Sequence, residues 1–182
     1  MQRDSKVWYL IALNLALVAL AWYLALSNYS SLPDKIPTHF GASGIADGWS
    51  GKGMIFLEPG VQIGMFLLFL GLAFMLPRLP KSMVNLPRGI KEDLQKLSEE
   101  DREKIYRGIY SSLPTMLFGL DIPLNLLFLF ILVTTIKVAY GEWQSLSVIL
   151  MIVLIAVLIG IGVYYSLRMY RKIRHQIKSQ YL

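Results

Sequence analysis

The side chains best able to do chemistry gather in one short stretch and just beyond it. Residues 33–53 read PDKIPTHFGASGIADGWSGKG, and Glu58 follows close behind. Asp34, His39, Asp47 and Glu58 make a nitrogen-and-oxygen donor set suited to zinc, manganese or another divalent ion, the cofactor these residues would take. Their spacing matches no closed metal motif, and a single loop histidine also serves to order a turn through hydrogen bonds. His39, Asp47, Trp49 and Lys52 can equally be read as a contact surface, offering a ring, two charges and an indole to a ligand. A phosphate cradle fails, because Ala46 stands where a Walker loop needs its first glycine and Gly53 where it needs a hydroxyl. Patterns for a catalytic serine or a zinc protease are missing as well, and the chain has no cysteine, so thiolate ligands and disulfides are excluded. Enzymatic activity is therefore the weaker expectation.

A second candidate lies in an apolar run, FGLDIPLNLLF, which carries Asp121 and Asn125 one helical turn apart on one face. A central aspartate in a membrane helix costs about 2.5–3.5 kcal/mol on insertion scales, so this carboxyl should face the bundle interior or water. Pro123 cannot donate to the carbonyl of Gly119, which frees an acceptor and favours a kink. Asn14, in the first apolar run, sits at nearly the same depth. The group is read either as polar glue between helices or as a site for an ion, a proton or a polar ligand. Glu58 opens another helix, with Gln62 one turn deeper on the same side. The candidate ligand-binding residues are thus His39, Asp47, Trp49, Lys52, Asp121 and Asn125.

What positions these residues is set by composition. The chain has 182 residues, 55% hydrophobic and 16% charged, where soluble domains carry about 25% charged residues. Apolar runs at 7–26, 55–76, 113–136 and 146–167 are each long enough to cross a hydrocarbon core about 30 Å thick. Backbone groups in hydrocarbon must be satisfied internally, so each run is expected to be helical. The expected fold is an all-α integral membrane protein, a single domain forming a four-transmembrane-helix bundle. Fifteen of the eighteen Lys and Arg residues, Arg3 among them, flank the starts and ends of these runs on one side; Lys35, Lys52 and Lys137 lie on the other. That bias puts both termini and the 77–112 connector in the cytoplasm, and the 27–54 loop outside.

The surplus of positive charge then reads as contact with anionic lipid headgroups, not with nucleic acid. The first run is too long for a cleaved signal core and reads as a signal anchor. In the connector, Ser98 and Asp101 resemble a helix cap, and Leu94, Leu97, Ile105, Ile109 and Tyr110 form an interrupted apolar stripe, which predicts an amphipathic helix lying at the headgroups. In the loop, Pro33 and Pro37 stiffen the entry, Asp47-Gly48 signals a turn, and Phe40 and Trp49 can seat the segment on the bundle as an ordered cap. Glycines at 60, 64 and 71 and at 160 and 162 permit close helix packing, in a monomer or homodimer.

A hydrophobic helix followed by Leu32-Pro33-Asp34-x-Ile36-Pro37-x-His39-Phe40, then a glycine-rich turn through Asp47-Gly48-Trp49 to Lys52, resembles a prokaryotic membrane family of unknown function. That family forms the amino-terminal part of SdpI-type immunity proteins, which protect producing cells from a secreted peptide toxin. Asn85-Leu86-Pro87 is similar to another of its features, and the resemblance covers residues 1 to about 110. The second membrane half of SdpI-type proteins is not recognisable here. The resemblance implies a multi-pass protein of a bacterial or archaeal plasma membrane, with an ordered extracytoplasmic loop that contacts a peptide or lipid-like ligand.

Overall fold

The structure is a computed structural model that describes residues 5–78, 80 and 86–179. It is mostly helical. Among the described residues four helices are long and apolar enough to cross a membrane: α1 (Ser5–Tyr29), α2 (Leu57–Met75) with a preceding 3-10 turn at Lys52–Phe56, α4 (Glu99–Ala139) and α5 (Val148–Lys178). A short α3 (Arg88–Gln95) precedes α4. Arg3 and Asn85 lie outside the described residues.

The bundle is centred on α4, which packs against α1, α2 and α5. Its 41 residues extend about 60 Å, twice the thickness of a bilayer core, so its polar first turns project beyond the apolar part. Ser98 starts it, with its hydroxyl accepting from the Asp101 amide at 3.1 Å. The expected cap is therefore present. The connector's apolar stripe has a different destination from the one expected: Leu94, Leu97, Ile105 and Ile109 join Leu86, Ile90, Ile173 and Ile177 in a buried cluster against the end of α5. Protein, not headgroups, covers that face, because α5 continues past its apolar run and supplies isoleucines at the right height. The apolar window of α5 itself has no buried residue, which fits a helix bordered by lipid on most of its circumference.

The 27–54 loop is not irregular. It folds as an antiparallel hairpin of β1 (Lys35–Phe40) and β2 (Ala46–Gly51), with Lys35 opposite Gly51 and Pro37 opposite Trp49. Pro37 is tolerated because a two-stranded sheet has only edge strands. The turn falls at Gly41–Ile45, where the Gly41 amide donates to the Ile45 carbonyl at 2.9 Å. Asp47-Gly48, expected to be the turn, lies inside β2 beside a bulge. There Gly48 serves close approach, since a Cβ on it would come 2.9 Å from that of His39.

The hairpin is seated on the bundle. Ile36 and Leu32 share a core with Ala21, Ala25, Ile55, Leu132 and Ile136, and the Leu146 amide, in the α4–α5 turn, donates to the Gly44 carbonyl at 2.8 Å. Gly44 has φ +80°, and a Cβ there would strike the Leu146 carbonyl. Glycine is required on both counts.

Candidate functional site

Two groups of polar side chains emerge, one on the hairpin and one inside the bundle. On the hairpin, the bulge sets His39 and Asp47 side by side, and the His39 Nδ1 is hydrogen-bonded to the Asp47 carboxylate. Both are solvent-facing, with side chains 72% and 55% exposed. Trp49 and Ile45 are exposed alongside them. Lys52 and Asp34 go elsewhere. The Lys52 ammonium lies 3.8 Å from Asp34 and 5.5 Å from the centre of the Tyr29 ring, while its amide donates to the Asp34 carbonyl at 3.0 Å. Phe56 packs on Tyr29 and Trp22 just below, at 5.2 and 5.9 Å between ring centres. These residues close the root of the hairpin.

The four-residue metal set is thus divided. His39 and Asp47 meet, Asp34 pairs with Lys52, and Glu58 stands in the first turn of α2 with one carboxylate oxygen buried. Among the described residues no group of three or more His, Cys, Asp or Glu side chains is placed to hold a metal ion. The hairpin's chemistry is that of a hydrogen-bonded imidazole–carboxylate pair beside apolar surface, suited to contact with an amphipathic molecule.

The interior group is built at the crossing of α1, α2 and α4. Asn14 donates from its amide to the carbonyls of Phe118 and Leu10, each at 2.9 Å. Asn125 donates to the Asn14 side-chain oxygen at 2.9 Å, and Gln62 to the Asn125 carbonyl at 2.9 Å. All three side chains are buried. The expected meeting of Asn14 with the Asp121 region occurs, but through Asn125. Asp121 is fully buried beside Asn125, whose side chain acts weakly on its carboxylate, but among the described residues no hydrogen bond of normal geometry reaches either carboxylate oxygen. Gln62 was the least legible member. Its sequence position, one turn below Glu58, gave no sign that it reaches sideways to α4.

Helix α4 carries a free backbone acceptor close to this crossing. Pro123 sits within α4 and leaves the Gly119 carbonyl without its helical donor. Gly119 carries no side chain, and the Tyr165 hydroxyl of α5 lies where its Cβ would be. Towards α3, Phe66 and Phe118 close the crossing with ring centres 5.8 Å apart.

Comparison with known proteins bears on the hairpin half of this picture. Residues 16–63 match a family described as a domain of unknown function, DUF1648. An uncharacterized protein of Archaeoglobus fulgidus is 34% identical over 96 residues, which cover 51% of this chain and 52% of that one. The chain therefore spans about half the length of this curated relative. No solved structure matches. The family match takes in the end of α1, the whole hairpin, Glu58 and Gln62, and leaves Asn14, Asp121 and Asn125 outside it.

Proposed function

We propose that this chain is a non-enzymatic membrane protein of SdpI-like type whose hairpin binds a peptide or lipid-like ligand on the extracytoplasmic face, in an immunity, resistance or signalling role. One observation carries the reading: the hairpin is locked to the bundle through Ile36 and the Gly44–Leu146 hydrogen bond, yet leaves Ile45, Trp49 and the His39–Asp47 pair facing outward. A rigid surface with apolar and ionisable portions spends little ordering entropy on binding. It suits an amphiphile, whose apolar body packs on Ile45 and Trp49 and whose polar group meets His39 and Asp47. The α4–α5 turn, tied to the hairpin tip, adds the exposed Trp143. The asymmetry of Lys and Arg supports both termini in the cytoplasm of a bacterial or archaeal cell.

The test is native mass spectrometry of the full chain released from detergent. Wild type should carry a bound amphiphile that the Ile45→Ser, Trp49→Ala double variant loses while keeping its thermal stability. The same bound species on both proteins, or on neither, would refute the reading.

A second reading, a small proton- or ion-coupled transporter, is favoured by the unpartnered oxygens of Asp121 in the bundle crossing. A metal-dependent enzyme at the hairpin has no such support, since its four candidate ligands do not gather.

A further inference from the structure

Buried side-chain oxygens without a hydrogen-bond donor are costly, and a protein seldom keeps several together. Here four lie along one seam: Glu58 Oε2, Gln62 Oε1, and both Oδ1 and Oδ2 of Asp121. Glu58 and Gln62 are one turn apart on α2. Gln62 is bonded to Asn125 of α4, and Asp121 is one turn from Asn125 on that helix. Since α2 and α4 run in opposite directions, the order along the bundle from the hairpin end is Glu58, then Gln62 with Asn125, then Asp121. All four oxygens are acceptors, so the seam as a whole is short of donors.

A metal or alkali ion does not fit that shortage. One turn of helix rises about 5.4 Å, and oxygens around a hard cation sit about 2.3–2.6 Å from it. An ion at Asp121 cannot reach Glu58. Protons can, because each neutralises one carboxyl and turns it from acceptor into donor. The groups that face the crossing among the described residues can be named element by element. From α1 the facing group is Asn14, a neutral amide. From α2 the titratable group is Glu58, and from α5 it is the Tyr165 phenol at Gly119. The nearest cation of α5 in sequence, Arg168, lies one turn from Tyr165 and is turned to the exposed Tyr164 hydroxyl at 3.5 Å; Lys172 is held at Ser112 and Gly108, more than two turns nearer the other end. Beyond Asp121 in that direction, Phe66 and Phe118 fill the crossing with apolar rings.

We propose that Asp121 is a reversible proton-binding site, reached from the hairpin end along Glu58 and Gln62 and closed towards the basic end by Phe66 and Phe118. A proton taken from water at the hairpin end passes to the Asp121 carboxylate, giving a neutral acid, and leaves by the same route. This goes beyond ligand binding at the hairpin and rests on the transporter reading only for what the proton would drive.

Infrared spectroscopy of the full chain in lipid nanodiscs at neutral pH tests it. A carboxylic-acid carbonyl band should be present, shift on transfer to deuterated water, and disappear in Asp121→Asn. Asp121→Glu, which keeps the acid and moves its band, makes the assignment should Asp121→Asn fail to fold. Glu58→Gln should leave the Asp121 band in place and slow its exchange by about tenfold or more, the scale of losing one proton-transfer group. An acid region unchanged by Asp121 substitution overturns the site, and unchanged exchange in Glu58→Gln overturns the route. Loss of the band on adding sodium or potassium, but not choline, would assign the seam to a cation instead. An absence of proton-coupled flux in proteoliposomes, with the band intact, removes the transporter reading alone.

Discussion

Gly44→Ala is the sharpest test of whether the hairpin is a docked lid. Gly44 has φ +80°, a conformation that costs an L-residue about 1–2 kcal/mol. Its Cβ would also occupy the space of the Leu146 carbonyl, so the hairpin tip and the α4–α5 turn must separate. Separation breaks the 2.8 Å bond from the Leu146 amide to the Gly44 carbonyl, worth about 0.5–1.5 kcal/mol net. Together the two effects come to roughly 1.5–3.5 kcal/mol against the docked state, a population change of roughly 10- to 300-fold. The cost is local, because the four apolar helices keep their mutual packing. Hydrogen exchange followed by mass spectrometry reads it: segments 35–51 and 140–147 should exchange faster by that factor in Gly44→Ala, with α1, α2 and α4 unchanged. Gly53→Ala is the control. Nothing lies within 4 Å of a Cβ at Gly53, so exchange should match wild type to within about 0.5 kcal/mol. Wild-type protection in Gly44→Ala would refute the docking, and with it the rigid ligand surface.

Three further outcomes are expected. Gly119→Ala should destabilise the α4–α5 contact by about 1–3 kcal/mol through overpacking against the Tyr165 ring; a melt in detergent should show the loss, and Tyr165→Ala in the same chain should return part of it. Ser98→Ala removes the acceptor for the Asp101 amide at the start of α4 and should cost about 1 kcal/mol, seen as faster amide exchange in residues 99–102. Because the chain has no cysteine, single substitutions report sidedness cleanly. A membrane-impermeant maleimide applied to intact cells should label Ser43→Cys and spare Lys178→Cys, and the opposite pattern would invert the proposed topology.

The interior site was half legible in the sequence. A carboxylate in FGLDIPLNLLF announces itself because lipid makes charge expensive, and helical periodicity puts Asn125 on the same face as Asp121. Gln62 could not be placed in that way. Its amide reaches α4 only because of how α2 rotates and crosses, and rotation depends on contacts such as Phe66 on Phe118 that no local pattern encodes. The hairpin was legible as an ordered cap but not as a sheet, and Ile36 and Leu32 seat it on the bundle where Trp49 was expected to, Trp49 being exposed. Asp47-Gly48 is a strong turn signal, and it lost to Gly41–Ile45 because Leu146, about a hundred residues away, requires a backbone at Gly44 that only glycine supplies. The metal set failed for a related reason. Asp34 and Lys52 close a hairpin root whose existence depends on strand pairing, so Asp34 is drawn away from His39.

By itself, then, the sequence determined four apolar helices, the position of the buried carboxyl and the cap at Ser98, but not how far α4 and α5 continue beyond their apolar runs. Each of these follows from local chemistry: transfer of side chains out of water, the helical period, and backbone amides that need acceptors. The tertiary structure decided which polar side chains meet. It brought His39 to Asp47 and Gln62 to Asn125, left Asp121 without a well-formed hydrogen bond, and turned the connector's apolar stripe onto α5 instead of a membrane surface. Such pairings depend on the register and rotation of elements far apart in the chain, and those are fixed by the summed packing of the whole bundle.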